Sequence, residues 1–445
     1  MPHPLKLVRA SLGDTQSSFA RRIARRHQEL GFGQMGDSRS KVAAWENSGT
    51  PPDRNTQRAL ADLLGVSWRD TEQLGWPHWL HLVIGDYALI NQPWTLQGAI
   101  DALRSATWLA DTRLFSEYPT VAGPTVHALV EQWQKAMTCQ LSLSSPDGKP
   151  ISPGVITWAC GCLEEFASVF LEASPATIFP TASGFLHTLT RFLSDHAYDQ
   201  EAGTELLLLA SRNAGLCGAI SLSLGEVARA ERYFLMAARS ATAAGVPLAA
   251  ATYMGGVAYG HLIVGAPGDV LPLVNAIREM TQGSRPHHAM AAFLEARAHA
   301  RLNDVGAAAR ALELADITPP FPAVEKSSRR HRLGSVNAWA AFSEGITWLH
   351  LGQSTKAMEL FAPLVEEDAL VGLFPIAAGD LCFVTDAQLA VGDIEAAVNL
   401  ASRVLALYCY PPGAVVRRYK ERFIAYRAVP IVRDFLLRLA EHPKL

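Results

Sequence analysis

Apolar residues recur along the chain three and four positions apart, the period of a helix with one buried face, so the predicted elements are helices. The first covers residues 4–12, and Thr15 caps a second that continues to about residue 30. The stretch 37–49 is a short helix with both ends marked. Asp37 or Ser38 can accept from its free backbone N–H groups, Gly49 can close it in the left-handed conformation, and Pro51 and Pro52 forbid continuation. Val42 and Trp45 lie three apart and point into a core. Ser40, Ala43, Ala44 and Asn47 point the other way, between Arg39 and Lys41. That outer face is small in the middle and basic at its edges, a shape that suits a nucleic-acid groove; two solvated charges on a surface helix are the alternative. A fourth helix is expected at 53–64 with Leu60, Leu63 and Leu64 inward, and a fifth at 68–74 capped by Ser67. Gly75-Trp76-Pro77 closes this part, with Trp76 and Trp79 packing at a hinge or coupling the head to the body.

Residues 94–108, 123–137 and 155–173 read as helices, and the stretches at 142–153 and 174–183 as loops. From about 205 an internal repeat appears. Aligning turns at Gly225, Gly265, Asn303, Gly352 and Gly392 gives spacings of 40, 38, 49 and 40 residues. Seven residues before the turns stand Gly218, Ala258, Ala296, Gly345 and Thr385. Nine after them stand Phe234, Val274, Leu312, Phe361 and Ala401. Small residues belong where two helices cross closely, and bulky ones where a helix plugs its neighbour. The pattern predicts a stack of helical hairpins. Its longest interval holds a proline-rich loop at 318–322 and the basic run 329–332, a solvated loop or an anion site.

A chain of 445 residues exceeds one ordinary core and implies two or three domains, or a repeat array. The boundaries read as 1–77, a helical connecting region at 78–203, and the repeats at 204–445. The net charge of −3 is unevenly shared: the first 75 residues carry eleven basic and eight acidic side chains, a net of +3, which leaves −6 for the rest. A basic head on an acidic body suits a part that reads DNA. The six cysteines are scattered through apolar stretches and read as buried thiols in a reducing cytoplasm. Cys160-Gly161-Cys162 lacks the spacing of a zinc knuckle. Residues 240–268 contain no Asp, Glu, Lys or Arg, a stretch long enough for a membrane span, but their alanines, glycines and central His261 favour a buried repeat helix.

Arg9, Gly13, Gln16, Phe19-Ala20, Ser38-Arg39-Ser40, Val42, Trp45-Glu46, Gly49, Leu60-Ala61 and Leu64-Gly65-Val66 together resemble the Cro/repressor-type helix-turn-helix family, the XRE class, over about the first 75 residues. The resemblance implies an Arg9–Glu46 ion pair that ties the first helix to the recognition helix. It implies that Gln16 touches DNA, and that Arg39, Ser40, Lys41 and Ala44, with Asn47 on the same face, approach the bases. One departure stands out: Val42 follows Ala20 by twenty-two positions, far more than in the family. The additional residues lengthen the second helix, which carries Arg21, Arg22, Arg25 and Arg26, and add a glycine-rich connection at 31–36. Those arginines can lie along phosphates or form a solvated face.

The hairpin repeat resembles a tetratricopeptide array. In such stacks the first helix of each hairpin lines a binding groove, which here implies Arg212, Tyr259, Phe293, Arg297, Trp339, Phe342 and Asp386, with Met290, Arg301 and His350 beside them. Aromatic faces with arginines suit a peptide or an acyl molecule with an anionic group; tight solenoid packing is the alternative. Head and body together resemble transcription regulators of the actinobacterial type, linked to differentiation and secondary metabolism. The expected fold is all-α, with a five-helix head and an α-solenoid. The expected function is a cytoplasmic, homodimeric, ligand-responsive regulator that binds double-stranded DNA at a palindromic operator, with no cofactor, metal or membrane. A tetratricopeptide scaffold with a vestigial head is the second reading. The sequence has no phosphate loop, G-x-S-x-G, H-E-x-x-H or dinucleotide fingerprint, so no catalytic residue is assigned; a helical biosynthetic enzyme would need an unexplained buried acid pair in a pocket.

Overall fold

The computed structural model describes residues 3–47, 50–64, 92–111, 121–138, 143–145, 147–170, 173–316, 336–366, 378–408 and 411–441, with isolated positions between 66 and 83 and the pair 369–370. Gly49, Ser67, Cys139, Cys409, the loop at 318–322, the basic run 329–332 and most of the expected fifth helix lie outside them. The chain is all-α: twenty α-helices stand among the described residues, beside a short parallel pairing of Lys149–Pro150 with His196–Ala197. It divides into two compact units, Met1–Gln92 with Thr120–Leu129, and Pro93–Pro119 with Val130–Leu445.

The first unit is built on α1 (Pro4–Ser11), α2 (Gln16–Glu29), α3 (Arg39–Asn47) and α4 (Arg54–Leu63). Pro4 opens α1 where a missing N–H costs nothing. Thr15 Oγ1 accepts from the Ser18 N–H at 3.1 Å to start α2. Asp53 caps α4, accepting from the Thr56 N–H at 2.9 Å and the Thr56 hydroxyl at 2.7 Å. Burial alone would raise the Asp53 carboxyl, but these bonds to its charged form outweigh it and hold the pKa below the ordinary value. Phe19, Ile23, Val42, Trp45 and Leu60 close one core with Leu5 and Val8. Each such side chain, taken from water, contributes about 1.5–3 kcal/mol. Trp79 and Leu80 are buried in the same core, so the expected end at residue 77 cuts through it. Trp76 and Trp79 meet edge to face at 6.0 Å, which makes them packing groups of this unit.

Between α2 and α3 the chain takes no tight corner. Gly31 and Gly33 have positive φ, a region that a side chain disfavours. The buried His27 ring sets Nδ1 3.0 Å from the Gly33 carbonyl and meets Phe32 at 5.5 Å, while the Arg58 guanidinium covers Phe32 from α4. The connection is therefore pinned at its start and exposed from Gly36 to Ser38.

The second unit continues through α5 (Leu96–Asp111), α6 (Pro124–Ala136, which begins in the first unit), α7 (Pro153–Phe170) and α8 (Pro175–Asp195). The expected loop at 174–183 is instead the start of α8. Pro175 occupies the first helical position, and Pro180 is accommodated within the helix. α9 (Gln200–Ser223) and α10 (Val227–Ala243) form the first hairpin, α11 (Pro247–Val264) and α12 (Val270–Met280) the second. The next pairs are α13 (Arg285–Arg301) with α14 (Val305–Asp316), α15 (Val336–His350) with α16 (Ser354–Phe361), and α17 (Cys382–Ala390) with α18 (Ile394–Leu407). α19 (Gly413–Phe423) and α20 (Pro430–Glu441) pack on the last pair. The first helices of successive hairpins touch one another, from α9 through α17. α8 packs on α9 and α5 on α10, so the region at 78–203 supplies helices to the same body instead of only connecting to it.

All five aligned turns share one geometry. Gly225, Gly265, Asn303, Gly352 and Gly392 have φ between 60° and 85°, and Asn303 is the only non-glycine with positive φ among the described residues. The next residue's N–H reaches back five positions in every case: Glu226 to Ser221, Ala266 to His261, Asp304 to His299, Gln353 to Trp348 and Asp393 to Gln388, each at 2.9 Å. This closes the orphan carbonyls of the first helix before the chain reverses. The small and bulky positions meet across the hairpin. A Cβ on Gly218 would lie 2.8 Å from the Phe234 ring, and one on Gly345 would lie 2.4 Å from the Phe361 ring. One helix among the described residues, α9, is long and apolar enough to cross a membrane, and 72% of its apolar window is buried inside the protein.

Candidate functional site

Two regions gather the singled-out residues, one in each unit. In the first, α3 buries Val42, Trp45 and Glu46, and Arg39, Ser40, Lys41, Ala44 and Asn47 are exposed, with Ala43 half-buried beside them. Ser38 and Ser40 hydroxyls pair at 2.8 Å, and the Asn47 amide donates to the Ala43 carbonyl at 2.8 Å, so Asn47 is folded back on its own helix. The exposed face is short-chained between two cations.

Behind that face Glu46 is the fastening. Arg9 Nε donates to Glu46 Oε1 at 2.6 Å and Nη2 to Oε2 at 3.3 Å, a two-point contact, while Arg9 Nη1 donates to the Asp14 carbonyl at 2.8 Å. The Gln16 amide nitrogen donates to Glu46 Oε2 at 2.6 Å. One carboxylate thus joins the end of α1, the start of α2 and α3. Gln16, expected at DNA, has its amide nitrogen engaged inside the unit. Of the four arginines on α2, Arg22 pairs with Asp14 and Arg26 with both Asp62 and Glu29, which leaves Arg21 and Arg25 as the cations of the lengthened helix without a carboxylate partner among the described residues.

In the second unit, Tyr259, Arg297 and Asp386 occupy one repeat position, six residues before their turns. The Tyr259 hydroxyl donates to Asp380 Oδ2, Arg297 Nη1 lies 3.0 Å from the same oxygen, and the Arg297 guanidinium stacks on the Tyr259 ring at 5.2 Å. Arg297 and Asp380 are essentially unexposed. Asp386 pairs with Arg422 at 2.9 Å, and Arg422 also faces the Phe383 ring, which meets His350 at 5.2 Å. Burial raises the Tyr259 hydroxyl and the neighbouring Asp380 charge raises it further. Arg301 donates to the Leu262 carbonyl at the end of α11.

The other expected groove residues fall elsewhere. Phe342 is turned into its hairpin core against Phe361 at 5.6 Å, because the Gly345 notch draws both rings inward. Phe293 packs with Ala296 and Leu312, with Trp339 edge-on at 5.5 Å. Arg212 is exposed on α9, with its charge next to Tyr253. Asp380, Arg418 and Arg422 do not stand at the repeat's groove positions; their one signal in the sequence is an acid in an otherwise apolar run before α17. The buried Asp380 and the half-buried Asp386 are each met by an arginine and form no acid pair. Burial pushes the Cys217 thiol up to about 12 and the Cys382 thiol up to about 11, so neither is a nucleophile near neutral pH.

Burial lowers His261 from 6.5 to about 4. Burial, and then the charges of Arg297, Arg301 and Arg422, lowers His350 to about 3. Below pH 6.5 the unfolded chain binds protons that these folded rings refuse, so stability is full above 6.5 and falls as pH drops toward 4. At about 1.4 kcal/mol per unit, His261 alone accounts for ~3 kcal/mol over that window. Urea unfolding at pH 7, 5.5 and 4.5 measures it: His261→Gln should flatten the slope, and an unchanged slope would mean that the ring titrates normally.

No family model, curated protein or solved structure matches the chain.

Proposed function

We propose that the protein is a sequence-specific DNA-binding transcription regulator whose helical body senses a small molecule or peptide. The first unit acts as a helix-turn-helix head of the XRE type, and the hairpins act as a tetratricopeptide-like sensor and dimerisation body. The observation that carries this reading is the outer face of α3, with Arg39, Ser40, Lys41 and Ala44 outward while Glu46 is locked behind it. A helix presented so, small at its centre and cationic at its margin, fits the major groove, and two heads of a dimer would meet the halves of a palindrome. A signal acts only by binding one arrangement of the body more tightly than the other.

Selection of duplexes from a random library, followed by a salt-dependent mobility shift, tests this. The selected duplex should bind far more tightly than random DNA. Arg39→Ala should cost about 1–3 kcal/mol and relax the preference at one base position. Weak binding indifferent to sequence would overturn the proposal in favour of an interaction scaffold with a vestigial head.

A further inference from the structure

The cluster around Tyr259, Arg297 and Asp380 carries more cation than it neutralises. Four guanidinium groups gather there: Arg297 and Arg301 from α13, the latter feeling the charges of Asp380 and Arg422, and Arg418 and Arg422 from α19, which share the surroundings of Cys382 with Asp380 and Asp386. They meet two carboxylates. Asp380 takes Arg297, and Asp386 takes Arg422. Arg301 reaches the Leu262 carbonyl, and the Arg418 guanidinium lies over Gly379, with Nη1 3.7 Å from where a Cβ would stand. Neither has a carboxylate partner among the described residues. His350 adds no charge at neutral pH, for burial and three of these arginines hold it neutral.

The same cluster holds buried polar atoms without partners. Arg297 Nε, Asp380 Oδ1 and His350 Nδ1 are shielded from solvent and make no hydrogen bond among the described residues. Such atoms are costly to bury unless something satisfies them. Surplus positive charge beside an unspent donor, Arg297 Nε, describes a receptor for a negative group, while Asp380 Oδ1, an acceptor, would take an O–H or N–H of the same molecule. Helix C-termini explain part of the attraction, since Arg301 serves the end of α11. They do not explain the unspent Arg297 Nε.

We infer that this cluster on the first-helix face is an anion-accepting site for a small molecule bearing one carboxylate or phosphate group. The inference rests on the reading of the body as a sensor and names what it senses. Arg301 and Arg418, the two guanidiniums without a carboxylate, would meet the anion directly, a two-point recognition that planar guanidinium favours. Arg297 and Asp380 would position them. Tyr259, Arg297 and Asp386 come from the second, third and fifth hairpins, so an occupied site would tie three repeats together.

Thermal unfolding of the full chain at constant ionic strength provides the test, with inorganic phosphate in one series, sodium acetate in a second and chloride as reference. The expected result is a saturable rise of the midpoint in one of the two series, identifying the head group, with Arg301→Gln raising the half-saturating concentration at least tenfold. Phosphate also stabilises proteins by exclusion from their surface, but that effect does not saturate and is equal in parent and variant. A rise that never saturates, or one identical in Arg301→Gln, would overturn the inference. Should Arg301→Gln fail to fold, Arg418→Gln carries the same comparison. Saturable anion binding in a protein that selects no DNA sequence would leave the site standing and remove the regulator reading.

Discussion

Glu46→Ala should destabilise the first unit by about 3–5 kcal/mol, the range for removing one partner of a buried ion pair. The Glu46 side chain is 1% exposed and the Arg9 side chain 14%, so alanine would leave a guanidinium largely cut off from water, without a carboxylate and held only by the Asp14 carbonyl. The Gln16 amide would lose its acceptor as well. Because Arg9 retains some access to solvent, the lower end of the range is expected. Glu46→Gln keeps the shape and one acceptor, and should recover part of the loss. Urea unfolding followed by circular dichroism measures the change, and the same variants in the mobility shift should lose affinity in the same order. A Glu46→Ala protein within about 0.5 kcal/mol of the parent would show that the hydrophobic contacts of Val42 and Trp45 hold α3 alone.

Phe361→Ala should cost about 3–5 kcal/mol in the second unit, the usual figure for emptying a buried aromatic position. The ring is fully buried, seated on Gly345 and facing Phe342. Gly345→Ala is the complementary change. A glycine in a helix interior ordinarily gains about 0.5–1 kcal/mol on becoming alanine. Here the new Cβ would sit 2.4 Å from the Phe361 ring, so a loss of about 1–3 kcal/mol is expected instead. The two changes should be strongly non-additive, since alanine at 345 finds space once the ring is gone. If Gly345→Ala stabilised the parent protein, the notch-and-knob account of the repeat would be wrong.

The repeat is legible in the sequence because it is a packing rule written at fixed distances from a turn. Gly218 with Phe234 and Gly345 with Phe361 stand seven before and nine after, and the fold brings each pair into contact. The turns themselves are legible through glycine, and through the one asparagine that tolerates the same backbone. Asp380 is not legible, since its importance comes from Arg297 and Tyr259, which reach it from two other hairpins. Phe342 is misplaced for the opposite reason: its slot points toward the groove in the repeat scheme, but the Gly345 notch beside it opens a better-packed place. Pro175 and Pro180 suggest a loop because proline breaks a helix interior, and the structure places Pro175 at a helix start. Within the first unit the Arg9–Glu46 contact is implied by a resemblance and is present. The demand that Glu46 places on Gln16 depends on three elements meeting, which spacing along a chain does not reveal.

On the path from α2 to α3, Met35 is held on the core and by the Thr56 hydroxyl, but no corner in the segment 36–38 that follows aims the third helix; its bearing comes from side chains clasped beneath it. The length of that segment is then a nearly neutral variable. Residues can be gained or lost there across generations without redirecting what the helix touches, so sequences of this kind should diverge first in that short exposed span.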